Sequence, residues 1–543
     1  MNFWHMQLYP GDRKNEFDIN KIRNIIVEKK VIGLGDYWED RNGKPSKCPE
    51  DFKNKMCIGD IVLVRYTIYP IALVKVVSDY IEDDSLCNNG FDWFPLRRQI
   101  EIITIINDKN RDKVYKLLGT KQLPAQGTLG LCVNNTDTKL FIEKWYNAVL
   151  QEKFMEEILK LLKLKKNIIL QGAPGTGKTY KTAEIAVRLI CPDADDVDWN
   201  DHKSIMKKYA HLQEIGQIGF VTFHQSMDYE DFVEGLKPEI ATDDDEKKIG
   251  IKYINKPGVF KIMCQRALIS YKDKDSFLES YQKFINHLKL QPGQRIKLQT
   301  PVLNRDFEVT LNSRKGLTLL TGKDSQNGGS LTCDALEGYI NGEDTIASGR
   351  LSYAKAVLDK IEKVYPYVLN TIDSSSVENT KPHILIIDEI NRGNVSKIFG
   401  ELITLLEADK RLGGEHPVSV KLPYSQEEFS VPSNLYILGT MNTTDRSVGS
   451  IDYALRRRFE FVTVTADDSL IKLEESKELF NKIRTFIEEN KTEILMSVDD
   501  LMIGQSYFMA DNEETFRLKK KYEIFPLLNE YYNDGILKEK FKE

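Results

Sequence analysis

Apolar residues fall into distinct patterns along the chain. From Lys139, KLFIEKWYNAVLQEKFMEEILKLLKLKK places apolar side chains at helical spacing among helix-favouring residues, which predicts a helix. It leads directly into the run NIIL, and further short apolar runs follow at GFVTF, HILIID and LYILGTMN. None shows clear apolar–polar alternation. Parallel strands buried on both faces require such unbroken runs. Helical segments separate them, which predicts a doubly wound α/β core, a parallel sheet flanked by helices. Nearer the start the pattern differs. MCIGDIVLVRYT, YPIALVKVVSDY and RRQIEIITII read as strands with GD and YP at turns, and DINKIRNIIVEKK reads as a short helix capped by Asp18.

These patterns divide the chain. Residues 1–110 form a small β-rich unit, and 111–138, containing the Gly/Pro-punctuated LLGTKQLPAQGTLG, reads as a linker. Residues 139–466 form the α/β core. A stretch of about 268–380 interrupts it, where RIKLQTP, FEVTL and LTLLT are strand-like, DSQNGGS is rich in turn residues and SYAKAVLDKIEKVYPYVL returns to helix. The core does not need that much chain between its second and third strands, so an inserted α+β subdomain is expected. Residues 467–543 are helix-rich and charged.

Composition narrows the class. Of 543 residues 41% are hydrophobic and 29% charged, which builds a packed core and excludes a disordered or collagen-like chain. A net charge of −6 offers no global basic excess, so any nucleic-acid contact must be a local patch. Seven cysteines, an odd number without a CxxC pair, support neither a disulfide framework nor a zinc finger. The longest apolar stretch, from Ile61, is broken by Arg65, Pro70 and Lys75, and the first residues lack an export pattern. A cytoplasmic protein without a membrane segment is expected.

Four segments carry chemistry. GAPGTGKT follows a strand and opens a helical pattern, the context in which such a loop cradles phosphates. Gly172, Ala173, Pro174, Gly175, Thr176 and Gly177 supply the turning backbone, with Tyr180 in the helix behind it. Lys178 can reach the β and γ phosphates, and the Thr179 hydroxyl can ligate Mg²⁺. HILIIDEINR ends an apolar strand in two carboxylates: Asp388 is suited to hold the magnesium and Glu389 to polarise the attacking water. In LGTMNTTDRS, Asn442 ends another apolar strand, where it would sense the γ-phosphate and orient that water. IDYALRRRF presents three consecutive arginines; one productive use is a guanidinium donated to a neighbour's γ-phosphate.

Together these segments resemble the AAA+ superfamily, and more closely the McrB family of motor subunits in modification-dependent restriction. MNTTDRS, FHQSMDYEDFVEG, IDYALRRRF and IGQSYFM are each similar to a block of that family. Thr444 stands where the family's block usually has alanine, and Gln505 where it has histidine. The resemblance covers about residues 140–530. It implies a hexameric ring, hydrolysis of GTP or ATP with Mg²⁺ at subunit interfaces, a C-terminal helical lid and a separate McrC-type nuclease. It also implies that Arg457, Arg458 and Arg392 act on a neighbour's nucleotide, and that Asp445 lies in the signature loop near Asn442. A metal-chelatase-like or dynein-like remodeller shares the phosphate chemistry, but MNTTDRS and YEDFVEG argue against it.

The N-terminal unit is the candidate reader of modified or foreign DNA. Its segments FWHMQLYPGD, VIGLGDYW and DWFPLRR weakly resemble EVE and YTH-type (PUA-like) domains. Trp38, Tyr37 and Trp93 could stack on a base, and Arg97, with Arg65 and Arg98, could serve phosphates. The alternative is that these aromatics fill a small core. The chain would then be a nucleotide-gated assembly switch whose N-terminal unit binds a protein or RNA. No nuclease constellation is evident, so cutting is assigned to a partner.

Overall fold

A computed structural model describes residues 1–8, 19–37, 39, 43–82, 95–108, 110–119, 123, 127–133, 137–242, 248–269, 274–290, 295–301, 305–312, 316–322, 326–340, 345–364, 380–444, 453–492 and 497–542. Asp18, Trp38, Trp93 and Asp445 lie outside them. The chain divides into two compact units, Met1–Glu157 and Ile158–Glu543.

The first unit is built on a seven-stranded sheet. Its strands are β1 (Phe3–Gln7), β2 (Val31–Leu34), β3 (Ile61–Tyr66), β4 (Tyr69–Val76), β5 (Ile81–Glu82), β6 (Leu96–Ile105) and β7 (Leu129–Leu131). The order is β2-β6-β4-β3-β1-β7, with β5 beside β6. β1 and β3 run parallel and the other pairs antiparallel. Trp4 is fully buried among Met6, Ile26 and Phe52, its indole N–H donating to Asp60 Oδ2 at 2.9 Å. The segment expected as a linker departs from that reading. It holds a helix at Arg111–Leu118 and strand β7, which pairs with β1. Three residues, LGL, are too few to show a pattern of their own, and β1 supplies what they need.

The second unit contains a five-stranded sheet interrupted by insertions. Its first strands are β8 (Asn167–Gly172) and β9 (Ile218–Thr222). A long antiparallel hairpin, β10 (Glu234–Thr242) and β11 (Lys248–Pro257), then leaves the core. β12 (Arg295–Gln299), β13 (Asp306–Leu311), β14 (Leu317–Thr321) and β15 (Gln326–Leu331) make a separate antiparallel sheet. It packs with helices Lys274–Leu290, Cys333–Ile340 and Leu351–Val364 around Phe284, Val309, Leu319 and Val357. β15 falls on the glycine-rich stretch that reads as a turn region; pairing with β14 overrides that local preference. The core resumes with β16 (His383–Asp388), passes a short hairpin β17 (Val420–Lys421) and β18 (Glu428–Phe429), and ends with β19 (Leu435–Asn442) and β20 (Glu460–Thr463).

The core order is β20-β8-β19-β16-β9, parallel throughout. β16 buries five of its six residues, as its apolar run requires. Strands β8, β9, β16 and β19 match the runs read from the sequence. β20 was not legible, because its four half-buried residues EFVT make no apolar run. The described residues between 466 and 537 form a helical cluster around Phe480, Ile483, Ile503, Phe516 and Leu528. Among the described residues no helix is long and apolar enough to cross a membrane.

Candidate active site

The carboxyl ends of β8, β16 and β19 meet at one place, where ligands of open parallel sheets bind. After β8 the chain turns through Gly172–Gly177 and enters helix Lys178–Ile190. Gly175 and Gly177 adopt φ of 78° and 85°, a region that costs glycine nothing. Lys178 is folded against the loop, its Nζ donating to Gly172 O at 2.9 Å and Ala173 O at 2.8 Å. Burial lowers its ammonium to about 8, against the opposing pull of Glu389 and Asp388.

One hydrogen-bonded relay joins the three strand ends. Thr179 Oγ1 donates to Asp388 Oδ1 at 3.0 Å, and Thr440 Oγ1 donates to the same oxygen at 2.6 Å. Thr440 Oγ1 in turn accepts from the backbone N–H of Glu389 at 3.1 Å. Glu389 itself has φ of 53°, a left-handed conformation that costs a non-glycine residue about 1 kcal/mol and is held by its surroundings. Asn442 Nδ2 donates to Glu389 Oε1 at 2.7 Å, and Arg392 Nε donates to Oε2 at 3.2 Å. The predicted residues Lys178, Thr179, Asp388, Glu389 and Asn442 are thus brought together, whereas Arg392, expected to face a neighbour's nucleotide, here pairs with Glu389 of its own chain. Thr440 was missed, since a threonine inside an apolar strand carries no signal.

The pair of Thr179 hydroxyl and Asp388 carboxylate is a hard-oxygen donor set of the kind Mg²⁺ takes, with substrate phosphates completing the shell. Among the described residues no cluster of three or more His, Cys, Asp or Glu could hold a metal alone. The donors fit a magnesium that arrives with a triphosphate.

The arginines after helix Tyr453–Arg456 lie elsewhere on the unit. Glu407 accepts from Arg457 Nη2 and Arg458 Nη2, both at 2.9 Å, and pairs with Lys410 at 2.8 Å. Their exposures differ sharply: the Arg457 side chain is 71% exposed and that of Arg458 9%. Arg458 is also fixed through its carbonyl, which accepts from Asn167 Nδ2 at 2.9 Å. Of these two, Arg457 is the exposed one.

In the first unit Tyr37 is exposed, its hydroxyl donating to Glu39 at 3.0 Å. The arginines proposed for phosphates are buried. Arg97 is 3% exposed, and Arg98 holds Phe52 O and Ser78 O at 2.8–3.0 Å. Arg65 binds Gly127 O at 2.8 Å and faces His5 Nδ1 at 3.2 Å. Arg98 ties the helix Cys48–Asn54 to Ser78, and Arg65 ties β3 to the backbone at Gly127, roles that neither RRQ nor IVLVRY discloses.

Phosphate loop, paired strand-end carboxylates and strand-end asparagine on a 5-1-4-3-2 parallel sheet, with β8, β9, β16, β19 and β20 counted as strands 1 to 5, define a P-loop nucleoside triphosphatase of the AAA+ class. Residues 332–459 match the model of the AAA domain, dynein-related subfamily, and residues 475–538 match that of the McrB alpha-helical lid domain. The chain is 27% identical over 497 residues to the type IV methyl-directed restriction enzyme EcoKMcrB subunit of Escherichia coli K12, covering 87% of this chain and 73% of that one. A segment of 87 residues is 36% identical to the type II restriction enzyme BsuMI component YdiS of Bacillus subtilis, 14% of this chain and 25% of that one. The chain is thus similar to McrB in its lid and, at 27% identity, over most of its length.

Proposed function

We propose that this chain is the motor of a restriction system. It hydrolyses GTP or ATP between protomers of a ring, probes DNA for modified or foreign features through its first unit, and drives a separate McrC-type nuclease. The observation that carries the hydrolytic part is the relay Thr179–Asp388–Thr440–Glu389–Asn442. Glu389 sits where it can take the proton of an attacking water, and Asn442 holds that carboxylate in place. Lys178 and the loop amides bind the phosphates. Magnesium held at Thr179 and Asp388 would offset charge on the transferred phosphoryl group. Arg457, exposed beside Glu407, supplies positive charge to the neighbour's γ-phosphate, while buried Arg458 shares the same carboxylate. The restriction role is supported by the names of the two relatives, and the ring by an arginine exposed at 71% that follows the core helix.

Glu389→Gln tests the chemistry: it retains nucleotide and assembly but loses turnover by roughly 10²–10⁴-fold. Normal hydrolysis by the purified variant removes Glu389 from the mechanism. Gel shifts with modified and unmodified duplexes over a salt series test the DNA reading. A profile indifferent to DNA, with an RNA or protein captured by the first unit instead, replaces it with the assembly switch.

A further inference from the structure

The C-terminal segment Gly504–Tyr507 runs along the phosphate loop and engages three of its carbonyls in succession. Gly504 N–H donates to Pro174 O at 3.0 Å, Ser506 N–H to Gly175 O at 3.2 Å, and Gln505 Nε2 to Thr176 O at 3.1 Å. On its other side Gln505 Oε1 accepts from Asp467 N–H at 3.1 Å, and the residue is 6% exposed. The approach leaves no slack. A Cβ on Gly504 would lie 1.9 Å from the carbonyl carbon of Gly175, and one on Gly175 2.4 Å from Ser506 Oγ.

A trans peptide points its C=O and its N–H in opposite directions. Fixing the carbonyls of Pro174, Gly175 and Thr176 toward the C-terminal segment therefore turns the N–H groups of Gly175, Thr176 and Gly177 the other way, into the concavity of the loop. Such a row of amides is an anion nest. We propose that Gln505 is a positioning residue for triphosphate binding, holding the loop in its anion-binding shape. The proposal rests on the phosphate-loop reading above and adds a residue that touches no phosphate. The site demands one donor and one acceptor on a single side chain, because Thr176 O can only accept and Asp467 N–H can only donate. Glutamine meets that demand. So does neutral imidazole, the side chain found in the block this segment resembles. A carboxylate, an imidazolium and an alkyl group do not.

The test measures triphosphate affinity by equilibrium binding, with thermal unfolding of the ligand-free protein alongside, for Gln505→Leu, Gln505→Glu and Gln505→His. The first two are expected to weaken binding about tenfold, one buried hydrogen bond's worth, measured at a temperature where thermal unfolding shows each variant still folded. Gln505→His is expected to bind like the parent near pH 8 and to fall behind it near pH 6, as the imidazole gains a proton and loses its acceptor. Parent-like affinity of Gln505→Leu overturns the proposal. So does a Gln505→His whose ratio to the parent ignores pH, and that readout stands if the leucine variant does not fold. Lys178→Ala is the control: undiminished binding there sinks the phosphate-loop reading itself, not the role of Gln505.

Discussion

At the scale of single residues, Lys178 and Thr440 carry consequences that their motif positions alone do not. Lys178 is buried and its ammonium is lowered to about 8. Phosphates favour the charged form, so above that pH binding must take up a proton. Triphosphate affinity is therefore expected to decline by about tenfold per pH unit above 8, while Lys178→Arg stays flat over the same range. Titration calorimetry in buffers of different ionisation heat checks the proton uptake. Thr440 bridges Asp388 to the Glu389 amide. Thr440→Val keeps the shape but removes the bridge, and is expected to slow turnover about tenfold with nucleotide binding retained; single-turnover hydrolysis separates the two. Motif residues were legible because glycine spacing and strand-end carboxylates are written locally. Thr440 and Gln505 were not, because their meaning comes from partners far away in the chain.

Elements show the same division. Apolar runs announced β8, β9, β16 and β19, of which β9 lies at the sheet edge with Phe220 exposed. The hairpin β10–β11 did not announce itself, and its anchor explains why its neighbouring block YEDFVEG is distinctive. Glu234, fully buried, accepts from Lys261 Nζ at 2.7 Å, Asn255 Nδ2 at 3.2 Å and the amides of Tyr424 and Ser425 at 3.1 and 2.9 Å. Burial alone would raise its carboxyl, but these hydrogen bonds outweigh it and bring it to about 2. A lowered folded-state value means stability present above the usual carboxylate range and lost as pH falls toward 2. Glu234→Gln removes one of the two carboxylates that Lys261 pairs with, Glu427 remaining at 2.7 Å, and is expected to cost about 2 kcal/mol, read as a shifted denaturant midpoint. It should also blunt the acid transition.

For the whole molecule, the proposed ring makes a strong demand: if Arg457 serves a neighbour's γ-phosphate, neither half of the site works without a second copy. Arg457→Ala and Glu389→Gln proteins are each expected to be inactive alone. Mixed in equal amounts, they regain activity at about a quarter of the interfaces, where an intact relay meets an intact arginine from the next protomer. No recovery in the mixture returns Arg457 to a purely internal role. The sheet that carries the relay has a further consequence for synthesis. Among the described residues β8 pairs with β19 and β20, so Asn167 meets Ile437 across about 270 residues. At ribosomal speeds of 5–20 residues per second, the strand leading into GAPGTGKT waits roughly 15–60 s for its neighbours. During that wait an apolar NIIL edge is open to wrong partners, which makes truncation before Leu435 a route to insoluble protein.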